Sequence, residues 1–309
     1  MIVLITGNTG FVGQNLTTYL ENKNRCQIKG VSRSDKNNQT ITYQDLSIEG
    51  WNKTSVLVHL AGKAHDLKKT SEDQEYFTVN TELTKKLFNQ FLESTCETFI
   101  YMSSVKAVAD TVEGTLTEEV DPNPITVYGQ SKQQAEAYIL AQTLPKGKRV
   151  YILRPCMIHG PGNKGNLNVL YSFVSKGIPY PFGAYENQRS FLSVENLCFV
   201  IQELINNKEI PSGVYNIADD ESLSTVDLVK IIGEAIEKSS KIWNISKGMV
   251  KVIAKIGDII PIPVNSERLD KLTENYVVSN VKIKKAIGKE FPVTTKQGIV
   301  KTIQSFKTQ

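Results

Sequence analysis

Little in this chain of 309 residues invites a metal ion or a disulfide. Cys26, Cys96, Cys156 and Cys198 stand far apart, with no CxxC pair and no neighbouring histidine cluster, so neither a zinc site nor a disulfide framework is expected. No uninterrupted apolar run approaches the ~20 residues of a membrane span. Charged residues make up 22% with a net charge of +4 and no long run of one sign, which argues against a disordered tail or a nucleic-acid-binding arm. Internal repeats and low-complexity tracts are absent as well. Met1-Ile2-Val3-Leu4-Ile5 is too short, and too poor in basic flanking residues, for a secretory leader, and it reads as a first strand. Together these absences predict a cytoplasmic protein with no metal, no nucleic-acid partner and no membrane partner.

What is present is a globular chain, 40% hydrophobic, long enough for one large domain or two interdependent ones. Up to Pro155, short β-branched runs alternate with amphipathic stretches, the rhythm of βαβ units and a parallel sheet. Strands are predicted at 2–6, 27–31, 56–60, 98–102 and 150–153, and helices near 11–21, 73–94, 127–142, 194–206 and 225–238. Val56-Leu57-Val58-His59-Leu60 is nearly all apolar, as a strand covered on both faces requires. The predicted class is therefore α/β: a Rossmann doubly wound parallel sheet over 1–155, rejoined around 190–217, with a smaller C-terminal α/β substrate-binding domain over most of 156–309.

Gly7, Gly10 and Gly13 fall between the first strand and the first helix, in Gly7-Asn8-Thr9-Gly10-Phe11-Val12-Gly13. Such a turn lets backbone approach a pyrophosphate, and the helix N-terminus offers it unpaired N–H groups and partial positive charge. The spacing is GxxGxxG rather than GxGxxG, and it resembles the extended short-chain dehydrogenase/reductase type. Gly7, Thr9, Gly10, Phe11, Val12 and Gly13 are the expected dinucleotide contacts. At the end of the second strand an acid would grip the ribose hydroxyl of NAD, and an arginine would accommodate the 2′-phosphate of NADP. The strand ends in Ser32-Arg33-Ser34, which favours NADP(H) over NAD(H), although Asp35 stands close by. Asp45-Leu46 matches the position that meets adenine in that type, and Asp45 equally suits a helix cap.

Tyr128-Gly129-Gln130-Ser131-Lys132 puts a phenol and an ammonium on one helix face. A lysine beside a tyrosine would stabilise phenolate and let Tyr128 exchange a proton with a sugar oxygen. The strand upstream ends in Ser103-Ser104, where Ser104 is expected to supply a hydroxyl to the same oxygen.

With those motifs in order, the chain resembles the NAD-dependent epimerase/dehydratase family over almost its whole length. The resemblance implies cofactor contacts at Leu60, Ala61 and Gly62, at Asn80 and at Pro155, besides Tyr128 and Lys132. It implies a UDP-sugar substrate, held by Ser104, by Arg189 and Arg268 on the diphosphate, and by Asn166, which suits a cap equally well. Ser103-Ser104-Val105-Lys106 and the stretch from Phe182 to Ser190 are similar to a small subgroup of 4-epimerase-like proteins, which includes reductases of UDP-4-keto-6-deoxy-N-acetylhexosamines used for surface polysaccharide. Lacking an Asp-Glu pair after Ser104, the chain is not expected to be a dehydratase. An epimerase regenerates its cofactor and a reductase draws on a reduced pool, so Arg33 favours 4-keto reduction over 4-epimerisation. A catalytically silent nucleotide-binding scaffold is the third reading. Family habit implies a homodimer. His59 is expected to be a core histidine, whereas His159 stands where relatives often carry a tyrosine.

Overall fold

The computed structural model describes residues 1–23, 26–33, 40–44, 46, 48–63, 72–163, 165–259 and 265–307. Its strands are β1 (Ile2–Thr6), β2 (Gln27–Ser32), β3 (Thr40–Thr42), β4 (Val56–His59), β5 (Thr98–Met102), β6 (Thr115–Leu116), β7 (Arg149–Pro155), β8 (Met157–His159), β9 (Phe191–Ser193), β10 (Gly213–Ile217) and β11 (Val277–Val278). Seven of them build one sheet in the order β10-β7-β5-β4-β1-β2-β3. Every neighbouring pair in it is parallel.

Side chains that alternate along these strands feed two separate cores. Leu4, Leu57, Phe99 and Tyr101 pack with Leu87, Phe88 and Phe91 of helix Leu83–Glu93 and with Ala135 and Ile139 of helix Val127–Leu140. Val3, Ile5, Val58 and Ile100 face the other way, onto Leu16 and Leu20 of helix Phe11–Glu21 and Leu197, Val200 and Ile201 of helix Val194–Asn206. Helices thus cover both faces, so the sheet is doubly wound, and β4 and β5 are buried at every position. Strand order reverses at β1, with β2 and β3 added on one side and β4 onward on the other, and the crevice at the carboxyl ends there is where such folds take ligands. A third core gathers Leu167, Phe182, Phe191, Leu228, Ile232, Val250, Ile299 and Ile303 from the later part of the chain.

The predicted helix over 73–94 is not one regular helix. It runs as α-helix over Asp73–Tyr76, widens to a π-turn over Phe77–Glu82 and returns to α-helix over Leu83–Glu93. Such widenings place side chains that a regular helix would aim elsewhere, and the buried residues of this one are Asn80 and Thr81.

Candidate active site

The glycine turn closes on itself at the carboxyl end of β1. Gly10 donates its N–H to Gly7 O (3.0 Å), and Gly7 donates to Val31 O of β2 (3.3 Å). Gly7 has φ +68°, a left-handed conformation that a side chain would strain. A Cβ on Gly13 would lie 2.3 Å from Gly7 O, so only a glycine lets the helix press this closely against the turn. Gly10 caps helix Phe11–Glu21 with no side-chain bond, and no acid occupies the first turn, so the cradle presents bare N–H groups. Thr9 and Gly10 are exposed, Phe11 and Val12 half-buried and Gly13 buried.

Because Gly7 is bonded to Val31, the end of β2 stands next to this cradle. Ser32 is half-buried there and Arg33 is exposed, its positive charge reaching the Tyr43 phenol, which burial otherwise pushes up. Leu46 is buried below; Asp45 lies outside the described residues.

Past β4 the chain is fixed by a run of hydrogen bonds with a single direction. Ala61 N–H donates to Thr6 Oγ1 (3.0 Å), Thr6 meets His59 Nδ1 (2.7 Å), His59 Nε2 meets Thr84 Oγ1 (2.9 Å), and Thr84 donates to Asn80 O (2.7 Å). Since Thr84 spends its proton on Asn80, His59 must donate from Nε2 and accept at Nδ1, the neutral tautomer. Burial, then the Lys132 charge, hold its pKa at about 3. His59 is a satisfied core histidine, as expected. Asn80 also ties two candidate segments together: it accepts from Lys63 N–H (2.7 Å) and donates to Lys63 O (3.1 Å) and to Ser131 Oγ (3.0 Å) on the Tyr128 helix. Leu60 donates to Thr6 O (3.3 Å), and a Cβ on Gly62 would come within 3.0 Å of Lys132 Nζ, so the exit of β4 lies against the lysine.

Helix Val127–Leu140 starts where Thr126 Oγ1 accepts from Gly129 N–H, and Asp110 grips that start, taking Ile125 N–H (2.7 Å), Thr126 N–H (3.0 Å) and the Thr126 hydroxyl (3.0 Å). Tyr128 is thereby aimed at Ser104, with which it shares a hydrogen bond that lowers its pKa against the stronger upward push of burial. Ser103 turns the opposite way and donates to the Glu136 carboxylate. Geometry therefore joins Ser104, not Ser103, to the tyrosine.

Lys132 Nζ donates to Met102 O (2.8 Å) at the end of β5 and lies 4.9 Å from the centre of the Tyr101 ring, while burial raises the Tyr128 phenol. Burial pushes Lys132 down to about 8 from 10.5, opposed by Glu136 one turn along the helix. Glu136 in turn receives Arg154 through Nε (3.1 and 3.0 Å) and a terminal nitrogen (2.5 Å), both residues being buried.

On the other side of the cleft, Pro155 is buried at the end of β7, paired with Ile217, and Cys156 follows it. Arg189 is half-buried and bonded through its backbone to Leu223; its charge acts on the Cys156 thiol and the Tyr276 phenol, so it faces the exit of β7. Lys106 Nζ sits 4.3 Å over the same Tyr276 ring. Asn166 opens helix Asn166–Ser175 and Arg268 lies in helix Ser266–Thr273, but their side chains fall outside those described. Gly165 is the N-cap of the former helix, and its N–H donates to the side chain of Asn168 (3.1 Å) in the first turn. His159 is buried in β8, 2.8 Å from Thr302 of helix Thr295–Phe306.

A dinucleotide fits these residues: a glycine cradle that any Cβ would fill, a helix start without a side-chain cap, and a hydroxyl–phenol pair with a buried lysine beyond it. Asp110 and Glu136 escape a motif search because they act through tertiary contacts; only the i, i+4 step from Lys132 to Glu136 could have drawn notice.

The sequence matches the model of the NAD dependent epimerase/dehydratase family over residues 3–218. It is 31% identical to a UDP-glucose 4-epimerase of Vibrio cholerae over 98% of this chain and 95% of that one. It is 26% identical to an N-acetyl-alpha-D-glucosaminyl-diphospho-ditrans,octacis-undecaprenol 4-epimerase of Escherichia coli O157:H7, covering 98% and 94%. The fold superposes on UDP-N-acetylglucosamine 4-epimerase from Bacillus cereus with a TM-score of 0.77 at 19% identity, covering all of both chains. The chain thus belongs to the NAD dependent epimerase/dehydratase family and is an NAD(P)-dependent enzyme of the extended short-chain dehydrogenase/reductase type.

Proposed function

We propose that the chain is an NADP(H)-dependent 4-ketoreductase acting on a UDP-4-keto-6-deoxy-N-acetylhexosamine. The observation that carries this reading is the end of β2. Exposed Arg33 stands beside the phosphate cradle, and no acid occupies the strand end to meet a ribose hydroxyl. A guanidinium there suits a 2′-phosphate, and hence a cofactor drawn reduced from solution.

The nicotinamide of a dinucleotide held at the cradle would supply the hydride. Tyr128 gives its proton to the C4 oxygen of the sugar, and Ser104, already bonded to Tyr128, donates to that same oxygen and holds it in line. Lys132, buried one helical turn beyond Tyr128, supplies the positive charge that steadies the deprotonated form. Arg189, with Arg268 and Asn166, meets the diphosphate from the later part of the chain, 156–309, which forms most of the substrate side. The assembly we propose is a homodimer.

A second reading, 4-epimerisation with retained NAD, is favoured by the two full-length relatives, both named as 4-epimerases. Turnover separates them. Stoichiometric loss of NADPH absorbance with a UDP-4-keto-6-deoxy-N-acetylhexosamine supports reduction, whereas interconversion of UDP-N-acetylglucosamine and its C4 epimer without added cofactor overturns it. A chain silent in both assays is a scaffold.

A further inference from the structure

Helix Lys247–Gly257 carries two apolar faces where one would suffice. Val250 and Ala254 enter the third core. Met249 (59% exposed), Val252 (58%), Ile253 (39%) and Ile256 (46%) form a second stripe at i, i+3, i+4, i+7 that looks outward, extended by Ile259 (87%) just past the helix. Trp243 (56%) stands out on the approach to this helix, its backbone locked to Tyr180 O (2.8 Å) and Gly183 N–H (3.0 Å) while its ring faces solvent. Lys247, Lys251 and Lys255 are exposed along a third face, beside the stripe. The sole acid of this stretch, Asp258, is engaged by Ser266 N–H (2.9 Å) and hydroxyl (2.6 Å).

We propose that this helix is a membrane-surface docking element whose occupant is an anionic phospholipid bilayer. An apolar stripe beside a row of lysines, with an exposed tryptophan, is the composition of a helix that lies in the headgroup plane. Charge decides among occupants. Phosphodiester headgroups complement the lysines, whereas a second copy meeting this face would bring two rows of like charge into one interface. Among the described residues no helix is long and apolar enough to cross a membrane, and a helix of 11 residues lies on a bilayer rather than through it. The sequence expectation of no membrane partner rested on the lack of a spanning run, which does not speak to this geometry. The proposal does not depend on which sugar reaction the chain performs.

The test uses the full chain with vesicles of phosphatidylglycerol and phosphatidylcholine, or of phosphatidylcholine alone. Cosedimentation with the anionic vesicles, weakened by added salt, is expected, and Trp243 emission shifts to the blue while Trp51, fully buried, stays constant. The variant Val252→Glu/Ile256→Glu alters only exposed positions and loses vesicle partitioning by about tenfold or more, together with the blue shift, at unchanged basal turnover. Should that variant misfold, Lys251→Glu/Lys255→Glu replaces it and weakens partitioning onto the anionic vesicles alone. Absence of cosedimentation, or equal partitioning of variants and wild type, overturns the proposal. So does a wild-type self-association that the variant abolishes without any vesicle binding, which would assign the face to a second copy.

Discussion

Tyr128 and Ser104 share a hydrogen bond that Ser103, the residue between Ser104 and the end of β5, does not enter, because Ser103 turns to Glu136. Tyr128→Phe removes the proton donor while the ring still packs, so kcat falls by ~10²–10⁴-fold with cofactor affinity held. Ser104→Ala lowers kcat and spares folding, whereas Ser103→Ala leaves the Glu136–Arg154 pair one donor short and acts mainly on stability. Steady-state kinetics and urea titration of the three variants distinguish these roles; a Tyr128→Phe enzyme with more than half of wild-type turnover would remove Tyr128 from the proton step.

With Lys132 in its proposed role, turnover is expected to show a basic limb. Its folded pKa, about 8, lies below the 10.5 of an exposed lysine, so the ammonium is lost as pH rises through about 8. The same depression makes folding stability rise from pH 8 toward 10.5, where the unfolded chain still holds the proton. Activity that needs the charge declines over this range while stability climbs. Lys132→Arg keeps its charge and flattens the decline; a pH–rate profile identical in wild type and variant excludes the lysine from the limb.

Glu136 opposes that depression and pairs with Arg154. Glu136→Gln leaves a buried guanidinium unpaired, a loss of about 3–5 kcal/mol in chemical denaturation, and moves the Lys132 limb to lower pH. Replacing both partners with apolar residues restores stability but not the limb, a split that a purely structural pair would not show.

Arg33→Ala weakens NADPH by about 1.5–3 kcal/mol, roughly ten- to a hundredfold, and leaves NADH almost unchanged, since a hydroxyl gains no ionic partner from a guanidinium. Fluorescence titration of both cofactors measures it. Equal losses return 4-epimerisation to first place.

Gly13→Ala places a methyl group where Gly7 O stands 2.3 Å away, so the helix must retreat from the turn. Binding of both cofactors is lost together, unlike the selective loss at Arg33; intact binding would mean that the cradle is not the pyrophosphate site.

Most of the sheet could be read from sequence because local chemistry specifies it. Continuous apolar runs require strands covered on both faces, and β1 and helix Phe11–Glu21 fall where the glycine turn between them demands. The phosphate cradle and the i, i+4 placement of Tyr128 and Lys132 are likewise local, set by backbone freedom and helix pitch. Other features needed partners distant in the chain. The π-turn at Asn80 is held by Lys63 and Ser131, and no periodicity announces it. Lys132 points to Met102 O because β5 ends beside its helix. Burial of His159 depends on Thr302, at the other end of the chain. Helix Lys247–Gly257 is not among the predicted helices, and only the packing of Val250 and Ala254 into the third core decided that Met249, Val252 and Ile256 stay outside.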